Sequence, residues 1–123
     1  MTILWGVLFK GEFHMVNFEW LEPWDSLYTE PTSFEKELYC EVGNQHILYG
    51  KRVKAIGRRY DCDDFLFQVF DVEFGYAVVH LTFSNKTEGN PNYPRTKVYK
   101  EFNDWFNQCM LADHSVYLLG EEE

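Results

Sequence analysis

The residues best suited to chemistry lie in the segment 61–64, where one cysteine stands among three aspartates, with His80 further along the chain. A thiol becomes a nucleophile when a neighbouring cation lowers its pKa, and carboxylates beside Cys62 act in the opposite direction. The same carboxylates lack the regular ligand spacing and the distal glutamate of a calcium loop. The segment 61–64 is therefore predicted to be a solvated hairpin turn that has no catalytic residue and binds no metal or cofactor. His80 is predicted to be a hydrogen-bonded residue within a strand.

Familiar catalytic motifs are missing from the rest of the sequence, which contains no GxGxxG, GxxxxGK[ST], HExxH or GxSxG. The three cysteines, Cys40, Cys62 and Cys109, are odd in number and show no CxxC spacing, which argues against a disulfide framework and a structural zinc site. The apolar stretch 1–9 is shorter than a membrane span, follows no basic segment and precedes no small-residue cleavage site. These features predict a cytoplasmic location and no membrane partner.

Three runs of alternating residues predict an antiparallel β-meander, over residues 51–60, 64–70 and 76–84, with short breaks at 61–63 and 71–75. Aromatic residues make up 19% of a 123-residue chain, which is enough bulk for one core and one domain over 1–123. The predicted fold class is therefore α+β, a meander sheet packed against two main α-helices.

The first of these helices is predicted to begin with Thr32 as its N-cap and Glu35 as its capping-box partner. Glu37 and Glu41 are expected on its outer face. Its apolar stripe consists of Phe34, Leu38 and Val42.

The second helix is predicted to begin at Thr96 and to run past Trp105 with a broad apolar face. Both helices are expected on one face of the sheet, with the aromatic segment 17–28 partly covering the other. Residues 1–14 are predicted to be an extra strand on the sheet, a segment packed over it or an extension, and Met15 is the alternative natural start.

Charge is the strongest compositional feature, because twenty acidic residues against eleven basic ones give a net charge of −9. Such a surface repels nucleic-acid phosphates and favours a basic partner. Five basic residues nevertheless crowd into the first predicted strand, where the two-residue period predicts one basic face. These residues are Lys51, Arg52, Lys54, Arg58 and Arg59. Two roles are predicted for them: their charge protects the edge of the sheet from pairing with another chain, or it contacts the phosphates of a nucleic acid.

Several segments together resemble a family of small bacterial proteins that includes immunity proteins of polymorphic toxin and contact-dependent growth inhibition systems. The resemblance covers about residues 32–106. The segments that carry it are 48–51, 53–59, 63–67, 76–84 and 90–94, with Phe102 and Trp105. It implies a protein that binds and neutralises the C-terminal domain of a cognate toxin by occlusion. The α+β domain itself is predicted to be a monomer or a weak dimer.

A nuclease toxin domain is basic, so the resemblance and the charge together place the contact at the acidic turns. These turns contain Asp61, Asp63, Asp64, Asp71 and Glu73, and the first turn is favoured because it is denser. Two alternatives stay open. One is a nucleic-acid-binding module that uses the basic strand 51–59, and the other is a small ligand-binding protein or enzyme with a pocket near His80 and the proline-containing loop 85–95.

Overall fold

The computed structural model describes residues 2–9, 12–27 and 31–121. Two strands come first, followed by a five-stranded sheet that is interrupted by one helix and closed by a helical C-terminal segment. The elements in chain order are β1 (Thr2–Phe9), β2 (Glu12–Glu19), β3 (Trp24–Ser26), α1 (Pro31–Glu41), β4 (Val53–Arg59), β5 (Asp64–Val69), β6 (Tyr76–His80), β7 (Thr96–Tyr99), α2 (Phe102–Trp105), one π-helical turn (Phe106–Met110) and α3 (Leu111–Glu121).

The predicted meander is confirmed as the centre of an α+β fold. The main sheet has the order β3-β4-β5-β6-β7, and every neighbouring pair is antiparallel. Consecutive strands are neighbours: short turns join β4 to β5 and β5 to β6, whereas α1 separates β3 from β4 and residues 81–95 separate β6 from β7. The turn 60–63 and the end of β6 at His80 lie at one end of the sheet, and the turn 70–75 lies at the other.

Each face of the sheet has its own hydrophobic core, and this corrects the prediction that both helices share one face. The core on the α1 face contains Leu38, Val42, Leu48, Val53, Ala55, Phe65, Phe67, Val69, Phe74, Ala77, Val79 and Leu81. The core on the opposite face contains Phe18, Trp20, Trp24, Ile56, Leu66, Tyr76, Tyr99, Phe102, Trp105 and Met110. The aromatic N-terminal segment and the C-terminal helical segment therefore cover the same face, which is why β5 and β6 lack a polar side.

A β-bulge at Ile56 changes which way the end of β4 faces. Ala55 is paired with Phe67, and Gly57 is paired with the next partner residue, so Ile56 is the extra residue. The side-chain alternation restarts after it. The guanidinium of Arg58 consequently lies 4.6 Å from the ring centroid of Phe65, in the α1-face core.

Arg59 projects from the opposite side of the strand, where Nη1 lies 3.4 Å from a carboxylate oxygen of Asp113 in α3. The prediction of a single basic face along β4 is therefore wrong. An unbroken two-residue period would have placed Arg58 beside Lys54, and the bulge prevents this.

α1 begins at Pro31, one residue before the predicted N-cap, so Thr32 is already helical. The carboxylate of Glu35, predicted to close a capping box, accepts a hydrogen bond from the backbone N–H of Ala55 at 2.9 Å instead. The apolar stripe with Leu38 and Val42 at its centre packs on the sheet as predicted.

Glu37 and Glu41 are both buried, and their prediction as outward-facing residues is wrong. The carboxylate of Glu41 accepts hydrogen bonds from Thr82 N–H, Thr82 Oγ1 and Phe83 N–H, at 3.0 to 3.1 Å. These donors follow β6, which ends at His80 although the sequence predicts a strand to residue 84. Phe83 adopts φ 56°, a left-handed conformation that no strand can continue through, and Glu41 holds it there.

The second predicted helix also starts too early, since Thr96–Tyr99 forms β7 and pairs with β6. Helical structure begins at Phe102, after Glu101 as N-cap. Trp105 and Met110 are fully buried against the sheet, as the predicted apolar face requires.

β1 and β2 form a separate antiparallel pair in which Gly6 lies opposite Met15. Within the described ranges, β1 pairs with β2 alone, so it is not an added strand of the main sheet. A natural start at Met15 stays a prediction. None of the helices in residues 31–121 is long and apolar enough to cross a membrane.

Candidate functional site

The acidic turn 60–63 is neutralised by the basic end of β4. The guanidinium of Arg59 donates two hydrogen bonds to the carboxylate of Asp61, at 2.8 and 2.9 Å, and lowers the pKa of that carboxyl. Arg58 Nη2 donates to Asp63 Oδ1 at 3.1 Å. The residues predicted as two competing sites, one acidic and one basic, are therefore partners of each other at this end of the sheet.

The residues that the sequence analysis considered for chemistry, segment 61–64 and His80, lie at the same end of the sheet. Asp64 and His80 are opposite each other on β5 and β6, and His80 Nδ1 lies 2.8 Å from Asp64 Oδ1. The pKa of Cys62 is raised, mainly by burial and then by the neighbouring Asp64 carboxylate. A raised pKa keeps the thiol protonated and lowers its nucleophilicity. Within the described ranges, no three histidine, cysteine or acidic side chains are placed to hold a metal ion.

The turn 70–75 at the other end of the sheet is organised by Asp71. Its carboxylate accepts a short hydrogen bond from Lys51 Nζ and a second one from the backbone N–H of Glu73 at 2.8 Å. These donors lower the pKa of Asp71, with Lys51 as the main cause. Lys51 Nζ also lies 5.8 Å from the centroid of the Phe74 ring. The turn is thus held in one conformation by an ion pair that the sequence did not reveal.

A cleft of about 710 Å³ opens beside this turn, between the ends of β4 to β6 and the start of α2. Its size lies within the range of ligand-binding pockets, about 300–1,000 Å³. It is lined by Arg52, Gln68, Val69, Phe70, Asp71, Val72, Glu73, Phe74, Gly75, Tyr76, Lys100, Glu101 and Phe102. We call it the turn cleft. It lies at the opposite end of the sheet from His80, where the sequence predicted a pocket.

Apolar side chains at the turn cleft are exposed. Val72 is 98% exposed at the tip of the turn, and Phe70 is 44% exposed. The guanidinium of Arg52 lies 4.9 Å from the centroid of the Phe70 ring, which fixes the ring against the rim. An exposed apolar centre with charged residues around it has the composition of a protein-binding surface.

Tyr76 combines burial with an unsatisfied polar group. It lines the turn cleft and is 3% exposed, and within the described part of the chain its hydroxyl has no hydrogen-bond partner. Burial raises its pKa to about 12, so the hydroxyl stays protonated and is able to donate. A buried hydroxyl without a partner is unfavourable by about 1–3 kcal/mol. The indole Nε1 atoms of Trp20 and Trp105 in the same core are also without a hydrogen-bond partner among the described residues.

The buried pair Glu37 and Glu41 lies on α1, away from the turn cleft. The pKa of Glu37 is raised to about 7, first by its hydrogen bond to the Glu41 side chain, then by burial and by the Glu41 charge. Two carboxylates this close cannot both ionise easily, so Glu37 keeps its proton up to neutral pH. The hydrogen bonds that Glu41 accepts from Thr82 and Phe83 give the pair a structural role.

Sequence reasoning named Asp71, Glu73 and Arg52 as contact residues but did not combine them into one site. It missed Tyr76, Lys100 and the exposed Val72. The sequence feature that could have indicated this site is the presence of two apolar residues, Phe70 and Val72, in an otherwise polar turn. Comparison of the chain with protein-family models, curated proteins and solved structures finds no match.

Proposed function

We propose that this chain is an immunity-type binding protein that neutralises a basic partner, a toxin domain, by covering it with the end of the sheet that carries the turn cleft. The observation that supports the site is the exposed pair Phe70 and Val72, surrounded by the charged residues Arg52 and Glu73. Burial of such an apolar centre provides affinity, and the charged rim provides specificity.

The acidic composition supports a basic partner. A net charge of −9 steers a positively charged domain toward the protein over distances greater than a direct contact. Occlusion needs no reactive group on this chain. A nuclease bound in this way would lose access to its nucleic acid because protein surface and acidic charge replace the phosphates.

The first acidic turn, favoured from the sequence, is less suited to be the centre of the contact. Its residues Asp61 and Asp63 already form ion pairs with Arg59 and Arg58, and breaking these pairs would offset part of the gain from a new partner. Asp71 of the second turn is likewise paired with Lys51, so ion pairing alone does not separate the two turns. We place the centre at the second turn, with Asp71 and Glu73, because only this turn adds the exposed apolar side chains of Phe70 and Val72. The alternative of a nucleic-acid-binding module is weakened by the same ion pairs, because Arg58 and Arg59 are paired with Asp63 and Asp61.

Co-expression with a toxin C-terminal domain, sought in the gene next to this one, tests the proposal. Val72→Asp should lower protection and weaken binding by about tenfold or more, since it introduces a charge at the apolar centre of the contact. Val116→Asp is the matched control, because Val116 is 67% exposed on α3, away from the turn cleft. Both side chains point into solvent, so neither variant should unfold the protein.

Cell survival and the dissociation constant of the purified complex are the two measurements. Death of cells that express the wild-type protein with its neighbouring toxin would remove the immunity proposal. Equal protection by both variants would instead place the interface elsewhere on the molecule. A third variant, Asp63→Lys with Asp64→Lys, should retain most protection if the contact is centred at the second turn.

A further inference from the structure

α3 has an amphipathic pattern that is reversed relative to an ordinary surface helix. Its half-buried residues, which contact the rest of the chain, are the polar residues Asp113, His114 and Tyr117. Asp113 accepts a hydrogen bond from Trp24 Nε1 at 2.8 Å and forms an ion pair with Arg59. A surface helix normally buries its apolar residues and exposes its charged ones. The polar side of α3 is therefore the side that packs on the domain.

The opposite side of α3 is exposed and uncharged. Val116 is 67% exposed and Leu119 is 65% exposed. The hydroxyl of Ser115 donates a hydrogen bond to the backbone carbonyl of Leu111 at 3.0 Å, so burial of this serine would leave no donor unsatisfied. At 3.6 residues per turn, one side of the helix contains the exposed side chains, and we call it the α3 face: Leu111, Ala112, Ser115, Val116, Leu118 and Leu119. A continuous exposed apolar surface of this kind is typical of an interaction site.

The charges near the α3 face indicate what covers it. The sequence from 101 to 123 contains no lysine or arginine, so this segment offers no cation to the headgroups of an anionic membrane. A basic helix of another protein would need acids beside its apolar stripe. Asp113 is the only acid in the sequence 111–120, and it is turned inward to Trp24 and Arg59. An uncharged face is complementary to another uncharged face, which a second copy of the chain provides.

The α3 face is also complementary to itself in size. A twofold axis between Ser115 and Val116 makes two copies of α3 antiparallel. Leu119 of one copy then lies opposite Ala112 of the other, because the two residues are equally far from the axis on opposite sides. Large side chains opposite small ones allow two surfaces to interdigitate. The same patch on both copies can thus form a closed, isologous contact.

We infer that two copies of the chain form a weak homodimer through the α3 face, with the two α3 helices antiparallel about this axis. A single pair of 11-residue helices buries less than the about 800 Å² per partner of a standard interface, so we expect a dissociation constant of about 1–100 µM. α3 contacts Arg59, at the end of β4 away from the turn cleft. The inference therefore goes beyond the proposed function and does not depend on it.

Sedimentation equilibrium over a concentration series up to about 1 mM measures the association. Val116→Asp places two like charges beside the axis and should weaken the dimer by about tenfold or more. Val72→Asp is the matched control, because it makes the same exchange at an exposed valine in the turn 70–75 and should dimerise like the wild type. Circular dichroism spectra of both variants should match that of the wild type. A wild type that stays monomeric over the whole series, or equal association by the two variants, would overturn the inference.

Single cysteine substitutions test the antiparallel arrangement. Ser115→Cys lies beside the axis and should form a disulfide between two copies under oxidised glutathione, with the wild type treated in the same way as the background for the native thiols. Ala112→Cys should not, because its two copies are about 10 Å apart along the helix axis, beyond the roughly 7 Å between Cα atoms that a disulfide spans. Crosslinking of both variants would indicate parallel or non-specific contact. That result, or a failure of both variants to crosslink, would contradict the arrangement.

Discussion

Stability should depend on pH in the neutral range because of the Glu37 and Glu41 pair. The Glu37 carboxyl ionises near 4.5 in an ordinary environment, and its hydrogen bond to Glu41, burial and the Glu41 charge raise this pKa to about 7 in the folded protein. The folded state therefore binds this proton more tightly than the unfolded state does. Its contribution to stability is fully present below pH 4.5 and is lost as the pH rises through about 7.

A shift of this size corresponds to about 3 kcal/mol for an isolated group. Glu41 takes part in the same titration, and loop 82–88 can relax when the second charge forms, so we expect a smaller loss of about 1–2 kcal/mol between pH 5 and pH 8. Glu37→Gln isolates the effect because its amide donates the same hydrogen bond to Glu41 and never ionises. The unfolding free energy of the variant should equal that of the wild type at about pH 5 and should exceed it by about 1–2 kcal/mol at about pH 8.

Urea unfolding followed by tryptophan fluorescence measures this difference, because Trp24 and Trp105 are buried in the folded protein. The ionic strength is held constant across the pH series. Glu73→Gln removes an exposed carboxylate and should show no comparable pH-dependent gain relative to the wild type. The reasoning is refuted if the difference in unfolding free energy between the wild type and Glu37→Gln is the same at both ends of the series.

Three further outcomes concern packing, and unfolding midpoints measure all of them. Gly57→Ala should destabilise the protein by about 1–3 kcal/mol, because the added Cβ would lie 2.4 Å from Cη2 of Trp20. Gly89→Ala should have little effect, since nothing lies within 4 Å of the new atom. Trp105→Ala should lower the unfolding free energy by about 3–5 kcal/mol and Phe106→Ala by less, since Trp105 is fully buried and Phe106 is only partly buried. Equal losses for the last two would contradict the placement of the C-terminal helical segment.

The centre of the fold was predictable because β4, β5 and β6 follow each other with short turns and are rich in β-branched and aromatic residues. The strand β7 was not, because Thr96 resembles a helix cap and Val98 continues the apolar spacing of the following helix. Both residues are also good strand formers, and pairing with β6 decides between the two structures. Local sequence patterns contain no information about the pairing of β7 with β6, because the two strands are separated by fifteen residues.

The bulge at Ile56 and the burial of Glu41 were hidden for a related reason. An isoleucine fits either face of a strand, so nothing local marks it as the extra residue. A glutamate on a helix is ordinarily exposed, and the donors that satisfy Glu41 come from Thr82 and Phe83, about forty residues later in the chain. The ion pairs that join the acidic turns to β4 likewise depend on the sheet register, which the sequence specifies only approximately.

β5 is the central strand of the main sheet and has a paired neighbour on each side and a hydrophobic core on each face. Phe65, Leu66 and Phe67 are completely inaccessible to water. Their backbone amides can therefore exchange with deuterium only when the whole sheet opens, whereas β7 is the last strand in the order of the main sheet. Amide exchange rates in β5 should report the global free energy of unfolding, and those of residues near the sheet edges should report local openings of lower free energy.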